Sequence, residues 1–407
     1  MKRVASARPL VSAVIPTRNR AHCLPRAIDS MRAQEGLGEQ FNLEVIVVDD
    51  ASSDATPDVV HSYADLYYIR LPERRGVGAA LNVGLRASTG CYVSILGDDD
   101  EWLPHKLRTQ VPELDAHPDV GVVYGQSRIR KGNEERLYPR AEDAHSGWVF
   151  EAMLMDNFAG HHASALIRRA VFDTVGYFDE TLSTYEDYDL SLRIARHFPF
   201  RFVPGAVDIY NLSPRGLWLS HSVTESGVSN LARVIETALR LLPDSATSAK
   251  VKREARARAA LGAVNPFIEA GDLARAWSVL IAALGTCPWL AEYEWARDTV
   301  RWLSHAQART ANSPVIATRD FCNQIKAATT SAGMSDRRRI RTMIAKMWAT
   351  MAASLLADES ASNHDAAYAA GCAVAHAPLY IVRNGLLRGI ARGALRRAVL
   401  GGGESQR

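Results

Sequence analysis

Three groups of acidic side chains stand at positions where they could share one reaction centre. Asp50 follows an apolar run, three consecutive aspartates at 98–100 follow a later one, and Glu186 and Asp187 open a helical pattern. A sugar or phosphoryl transfer from a nucleotide donor must hold the base, neutralise the diphosphate and deprotonate the nucleophile. Carboxylates suit all three tasks, because they accept hydrogen bonds, bind hard divalent cations and take up protons. These residues predict transfer chemistry at a nucleotide and metal site.

The elements that must position these carboxylates alternate short apolar runs with amphipathic helical patterns. This alternation predicts an α/β fold with a mainly parallel sheet flanked by helices. Ligands in such sheets bind beyond the carboxyl ends of the strands, where Asp50 and residues 98–100 are expected. The predicted strands are 11–15, stopped by Pro16, then 43–48, 66–71, 92–96, 120–127 and 163–167. The predicted helices are 21–34, 77–87, 169–175 and about 188–196, and Ser52, Ser53 and Asp54 offer N-caps for one after the second strand.

The character of the chain changes near residue 222. Residues 1–222 carry a net negative charge, whereas alanine-rich helical patterns with a net positive charge fill 223–407. One helix is predicted over 273–284, with Asp272 as its N-cap. We therefore expect a catalytic domain over 1–222 and an all-α domain over 223–407 that serves packing, oligomerisation or acceptor and membrane contact.

The composition excludes several classes of protein. A chain of 407 residues with 47% hydrophobic and 23% charged residues is neither disordered, collagenous nor a disulfide mini-protein. The five cysteines are scattered and form no Cys-x-x-Cys pair, which favours a reduced, cytoplasmic protein. We expect no signal peptide and no membrane-spanning segment, because no stretch reaches about 20 apolar residues. The basic second half lacks interleaved aromatic residues, so nucleic-acid binding is not expected.

Five motifs in a fixed order resemble family 2 glycosyltransferases of the GT-A fold over about residues 10–222. The resemblance implies that the protein transfers a sugar from a nucleotide sugar with inversion at the anomeric carbon. The motifs are Val-Ile-Pro-Thr-Arg-Asn-Arg at 14–20, the Val-Asp-Asp-Ala-Ser-Ser-Asp run at 48–54, Arg-Gly-Val-Gly at 75–78 with Asn82, Leu-Gly-Asp-Asp-Asp-Glu-Trp-Leu-Pro at 96–104, and Glu-Asp-Tyr-Asp-Leu at 186–190 with Arg193.

The resemblance also implies where the nucleotide binds. Asp50 matches the carboxylate that reads uracil, so a UDP-sugar is the favoured donor. Arg75 and Asn82 match positions that line the nucleotide and diphosphate pocket. The remaining contacts to the base and ribose fall on Pro16, Thr17 and Arg18.

The resemblance implies in the same way which residues bind the metal and which residue acts as the general base. Asp99 matches the metal-binding aspartate of the family's DXD element, Asp98 would lie against the ribose or sugar, and Asp100 would support the site. Gly97 stands where many members have aspartate, which leaves Asp98 and Asp100 as the alternative ligand pair for Mg²⁺ or Mn²⁺. His221 is a further metal candidate. Asp187, with Glu186 beside it, matches the general base.

Other interpretations of the same residues stay open. The acidic groups could merely cap helices, and the protein could be a catalytically inactive GT-A-fold binding or scaffold protein. A nucleotidyltransferase or a nicotinamide-dependent oxidoreductase is disfavoured, because residues 16–20 stand where a glycine-rich loop would follow the first strand.

The sequence does not name the acceptor, which could be a glycan, a lipid-linked glycan, a natural product or a peptide. Its pocket is expected between about 128 and 162 and around 215–221, where Trp148, His161, His162 and Trp218 could contact it.

The tail at 378–401 combines two patterns on one predicted helix. Arg388, Arg392 and Arg396 recur at four-residue spacing, as in basic helices that lie on anionic membranes. A stripe of glycines at 385, 389 and 393 is instead typical of close helix packing, within the domain or in a homo-oligomer.

Overall fold

The computed structural model describes residues 8–159, 162–212 and 224–269, together with 272, 275–276, 278–280, 323 and 372. The chain forms two compact units, Met1–Ala255 and Arg256–Arg407. The first unit contains every described residue of the candidate site, and the sequence-based boundary near residue 222 stays a prediction. No helix among the described residues is long and apolar enough to cross a bilayer.

Nine strands and ten α-helices make up the described part of the chain. The strands are β1 (Leu10–Thr17), β2 (Asn42–Asp49), β3 (Leu66–Arg70), β4 (Tyr92–Ile95), β5 (Glu101–Trp102), β6 (Val122–Lys131), β7 (Glu134–Tyr138), β8 (Ala165–Arg168) and β9 (Phe200–Asn211). The helices are α1 (Leu24–Arg32), α2 (Thr56–His61), α3 (Val77–Ala87), α4 (Lys106–Ala116), α5 (Phe150–Met155), α6 (Val171–Val175), α7 (Glu186–His197), α8 (Glu225–Leu239), α9 (Ala246–Gly262) and α10 (Val264–Glu269).

All nine strands belong to one sheet, in the order β3-β2-β1-β4-β8-β6-β9-β5, with β7 paired to β6. The pairs β3–β2, β2–β1, β1–β4 and β6–β9 are parallel. The pairs that involve β5, β7 or β8 are antiparallel. The predicted α/β class is confirmed. The sheet is parallel throughout β3-β2-β1-β4 and mixed beyond β4. The change occurs because β8 and the β6–β7 hairpin return the chain in the opposite direction.

The sheet and its helices pack through the apolar positions that the sequence pattern marks. In α1, the buried residues Leu24, Ala27, Ile28 and Met31 recur at helical spacing and join the main core. Residues 11–15 of β1 are all fully buried, as expected for a central strand covered on both faces. On α3, Gly84 lies so close to β1 that a Cβ atom there would collide with Val14. The absence of a side chain beyond hydrogen at Gly84 lets α3 pack closely against β1 and β2.

Several predicted boundaries are corrected by tertiary packing. Pro16 does not stop β1 but lies within it, in register with Val48. The helix predicted over 21–34 is shorter, because residues 20–23 form a turn that precedes Leu24. Helix α2 has Ala55 at its N-cap. Asp54 instead accepts hydrogen bonds from the backbone and hydroxyl of Thr56 and from the Ala21 amide.

Strand β9 is, with β5, β7, α4 and α5, an element that the sequence analysis did not predict. Pro204 and Gly205 interrupt its sequence, and Gly205 has a φ of 110°. The strand stays paired with β6 because β9 accommodates extra residues at the two register shifts opposite Tyr124–Ser127. In the second unit, the side chain of Asp272 accepts from the backbone amide of Arg275, as predicted for an N-cap.

Candidate active site

One cavity brings the three acidic groups together. It has a volume of about 620 Å³ and is lined by residues from the ends of β1, β4 and β9 and from the start of α7. The residues that border it include Asp50, the acidic loop at 97–100, Glu186 and Asp187. Side chains that are about 50 and 90 residues apart along the chain therefore face one space.

Asp50 is fixed at one side of the cavity by the turn that follows β2. Its neighbour Asp49 is fully buried and accepts from the backbone of Ser52 at 2.7 Å and from the Tyr68 hydroxyl at 2.7 Å. Asp50 is 5% exposed and uses one carboxylate oxygen each for the amides of Arg75, at 2.6 Å, and Gly76, at 2.9 Å. Each oxygen keeps a second lone pair, so the carboxylate can still accept from a ligand.

The other residues predicted to contact the nucleotide divide into two groups. Pro16, Thr17, Arg18 and Arg75 line the cavity, and so does Arg74, which the sequence analysis did not single out. Asn82 is not among the described residues that line it. Its amide lies behind the cavity wall, where it bonds to the backbone of Phe178 and to Glu180. The guanidinium group of Arg75 donates to Glu180 at 2.9 Å.

The acidic loop begins directly after β4. Thr17 donates to Asp98 at 2.8 Å, and Arg20 pairs with Asp99 at 3.1 Å. Burial, together with the charge of Asp99, raises the pKa of Asp98 to about 7. Burial is the larger cause, and the charge of Arg20 offsets only part of the shift.

Asp100 and Gly97 set the shape of this loop. Asp100 is 3% exposed and accepts from the Asn211 backbone at 2.8 Å, while the Asn211 side chain donates to the carbonyl of Asp99. A Cβ atom on Gly97 would lie 2.9 Å from Asp100 Oδ2 and 3.3 Å from Asp99 Oδ1. An aspartate at position 97 would crowd both carboxylates, which gives a physical reason for the glycine.

The metal-binding potential of the loop rests on the chemistry of its donors. Carboxylate oxygens are the ligands that Mg²⁺ and Mn²⁺ prefer, and the loop presents three adjacent carboxyl groups at the cavity. Within the part of the chain that the structure describes, no three His, Cys, Asp or Glu side chains are arranged to enclose a metal ion. His221 lies outside the described residues.

Helix α7 presents Glu186 and Asp187 to the cavity. It begins after Tyr185, whose φ of 64° is in the left-handed region and turns the chain sharply into the helix. Burial, together with the charge of Asp187, raises the pKa of Glu186 to about 8. Asp187 Oδ1 accepts from the backbone amide of Tyr188 at 2.7 Å, within the positive end of the helix dipole. Two adjacent carboxyl groups thus have different surroundings, which suits one to hold a proton and the other to accept one.

Strained backbone marks the same region. The three described non-glycine residues with positive φ are Asn19, Ala51 and Tyr185. Asn19 lies between cavity-lining arginines, Ala51 follows Asp50, and Tyr185 lines the cavity itself. Left-handed conformations of such residues cost about 1 kcal/mol or more each and concentrate at functional sites.

Tyr210, at the end of β9, is a site residue that sequence reasoning missed. It lines the cavity, and burial with the charges of Asp100, Asp187, Asp99 and Glu186 raises the pKa of its hydroxyl. The phenol therefore lies within electrostatic reach of both acidic groups. The alternation of apolar and polar residues over 207–210 was the available signal.

The residues predicted for the acceptor are dispersed. His162 lines the cavity and its Nε2 lies 3.0 Å from the Ser191 hydroxyl. Trp148 is 72% exposed and is not among the described cavity-lining residues. His161, Trp218 and the predicted helix at 378–401 lie outside the described residues.

Residues 12–176 match the sequence profile of the family described as Glycosyl transferase family 2. This segment is a family 2 glycosyltransferase domain. An uncharacterized glycosyltransferase of Rickettsia typhi is 33% identical over 192 residues, which are 46% of this chain and 59% of the relative. The succinoglycan biosynthesis protein ExoO of Rhizobium meliloti is 33% identical over 195 residues, 45% of this chain and 54% of that protein. The chain thus spans little more than half the length of these relatives.

Solved structures support the fold. The structure of S. aureus TarS 1-349 superposes on this chain with a TM-score of 0.51 and is 18% identical to it. The alignment covers 79% of this chain and 90% of the TarS chain. The same protein in complex with UDP-GlcNAc gives a TM-score of 0.52. The fold of the family 2 domain is therefore of the GT-A type, as the sequence motifs predict.

Proposed function

We propose that this protein is an inverting glycosyltransferase that transfers a sugar from a nucleotide sugar, with a UDP-sugar as the favoured donor. The observation that carries the proposal is the convergence of Asp50, the acidic loop and Asp187 on one cavity. The family 2 domain, which occurs in relatives named glycosyltransferases, supports the reaction class.

Donor binding is assigned to the side of the cavity where β1 and β2 end. The free lone pairs of Asp50 can accept from the imide N–H of uracil, while Arg18, Arg74 and Arg75 supply positive charge for a diphosphate. TarS, which shares the fold, has been solved with UDP and with UDP-GlcNAc. This supports a uridine nucleotide here.

A divalent cation fits the oxygen donors of the acidic loop. Asp99 would hold it, with Asp98 and Asp100 as the alternative pair. When bound, Mg²⁺ or Mn²⁺ would stabilise the charge that develops on the departing diphosphate. Arg20 and Thr17 keep the loop carboxylates in place through the contacts described above.

The proton transfer is assigned to the start of α7. Asp187 would accept the proton of the acceptor hydroxyl as that oxygen attacks the anomeric carbon from the face opposite the diphosphate. Glu186 holds its own proton at neutral pH because its pKa lies near 8. This single displacement inverts the anomeric configuration.

The test is a panel of UDP-, GDP-, dTDP- and CMP-sugars, with released nucleotide as the readout, in Mg²⁺, Mn²⁺ or chelator. Calorimetry should detect metal-dependent binding of UDP, and the anomeric configuration of a product can be read by NMR. Asp187→Asn should abolish turnover and spare nucleotide binding. Nucleotide binding without turnover of any donor would favour the catalytically inactive alternative, and absence of all nucleotide binding would contradict both.

A further inference from the structure

The segment Val175–Glu180, which we call the bridge segment, lies between the nucleotide-facing helix α3 and the helix α7 that carries Glu186 and Asp187. Asn82 is its anchor on α3. The Asn82 side chain is 2% exposed and bonds to the backbone of Phe178 in both directions, donating to its carbonyl at 3.0 Å and accepting from its amide at 2.9 Å. It also donates to Glu180 at 2.9 Å. A buried amide is costly unless its hydrogen bonds are made, so these contacts define the position of the bridge segment.

Glu180 extends the connection to the nucleotide side of the cavity. One of its carboxylate oxygens accepts from Asn82, and the other accepts from the guanidinium group of Arg75 at 2.9 Å. The hydrogen bond from Asn82 and the charge of Arg75 lower the pKa of Glu180. The backbone amide of Arg75 in turn donates to Asp50. A continuous series of contacts therefore runs from Asp50 to the bridge segment.

The other end of the bridge segment is held by α7 itself. Arg193 donates to the carbonyl of Val175 at 2.5 Å and to that of Tyr177 at 2.8 Å, and it pairs with Asp189 on its own helix at 2.7 Å. The chain then passes directly from Glu180 to the sharp turn at Tyr185. The bridge segment thus connects the element that faces the nucleotide to the start of the helix that carries the base.

We propose that Asn82 is a positioning residue, which sets the distance between the bound donor and the carboxylates at the start of α7, and not a contact to the nucleotide. The inference rests on the proposed function. A displacement of about 1 Å between reacting groups can cost about a hundredfold in rate, so loss of this anchor should reduce turnover more than binding.

The experiment compares Asn82→Ala and Glu180→Ala with Glu73→Gln, a matched control at an exposed carboxylate outside the described cavity lining. For Asn82→Ala we expect the UDP dissociation constant to change by less than about threefold and kcat to fall by about thirtyfold or more. Glu180 is closer to the surface, and Glu180→Ala keeps the bonds between Asn82 and Phe178. This variant should also lower kcat more than UDP affinity, but its loss in kcat should be smaller than that of Asn82→Ala. The control should match the wild-type protein in both measurements.

Amide hydrogen exchange gives a readout that does not depend on turnover. In the free Asn82→Ala protein, exchange should rise at Phe178 and in the first turn of α7, and stay unchanged in β1. Equal losses in UDP affinity and in kcat would overturn the proposal by making Asn82 a nucleotide contact. Unchanged kcat in both variants, or unchanged exchange at the start of α7, would also overturn it.

Failure of the proposed function has a different signature. In that case the wild-type protein releases nucleotide from no donor, while the exchange comparison still shows whether Asn82 holds the start of α7. If Asn82→Ala does not fold, Glu180→Ala decides the outcome, and an unchanged kcat in that variant counts against the proposal.

Discussion

Replacement of Glu186 by glutamine tests the electrostatics of the site without relying on a substrate. Burial and the adjacent charge of Asp187 raise the pKa of Glu186 from 4.5 to about 8, so the folded protein favours the protonated form. An acid with a raised folded-state pKa contributes stability that is fully present below pH 4.5 and is lost as the pH rises through 8. Glutamine resembles the protonated acid in shape and cannot ionise. The variant should therefore lose this pH dependence.

The magnitude follows from the same pKa values. The full shift of about 3.5 units corresponds to about 5 kcal/mol, of which about 4 kcal/mol falls between pH 5 and pH 8.5. Glu186 keeps partial contact with solvent at the cavity wall, and screening brings the expected difference to about 2 to 3 kcal/mol. Glu186→Gln should be nearly as stable as the wild-type protein at pH 5 and more stable by this amount at pH 8.5.

Urea denaturation of both proteins at the two pH values measures the effect, with Glu73→Gln as an exposed control that should follow the wild-type protein. The reasoning would be refuted by a stability difference that is the same at pH 5 and pH 8.5. If the wild-type protein is instead more stable than the variant at high pH, the stability difference has the opposite sign. That result would contradict the description of Glu186 as a buried carboxyl group repelled by Asp187.

Three further substitutions test the packing around the site. Lys106 is fully buried and donates to the side-chain oxygen of Gln110 at 2.6 Å and to the Ala165 carbonyl at 3.1 Å. Lys106→Met leaves the buried Gln110 oxygen without its donor and should destabilise the fold by about 1 to 3 kcal/mol in urea denaturation. Gly84→Ala forces a methyl group against Val14 and should cost about 1 to 3 kcal/mol in the same assay, and an unchanged midpoint would contradict the close approach of α3. Gly97→Ala places a methyl group 2.9 Å from a carboxylate oxygen of the acidic loop and should weaken metal-dependent UDP binding about tenfold by calorimetry, whereas unaltered affinity would show that the loop yields freely.

Local sequence patterns are sufficient to predict the elements whose burial gives an unbroken apolar run or a regular apolar period. The first four strands and helix α3 are found close to their predicted bounds, because buried central strands read as apolar runs and helices as periodic ones. The strand-end rule also places Asp50 and the acidic loop at one edge of the sheet. Strand β9 escapes prediction because Pro204 and Gly205 interrupt its apolar pattern, and only its pairing with β6 carries the strand through them.

The features of the candidate site also divide into those that the sequence predicts and those that need the tertiary structure. Sequence by itself determined which residue types are present and in which order, and so identified Asp50, Asp99 and Asp187 as the groups to examine. Only the tertiary structure decided that Asn82 bonds to the bridge segment, that Tyr210 lies near both acidic groups and that burial and the charge of Asp187 raise the pKa of Glu186. The physical reason is that burial, charge proximity and hydrogen-bond partners depend on distances between remote segments, which the spacing of residues along the chain does not encode.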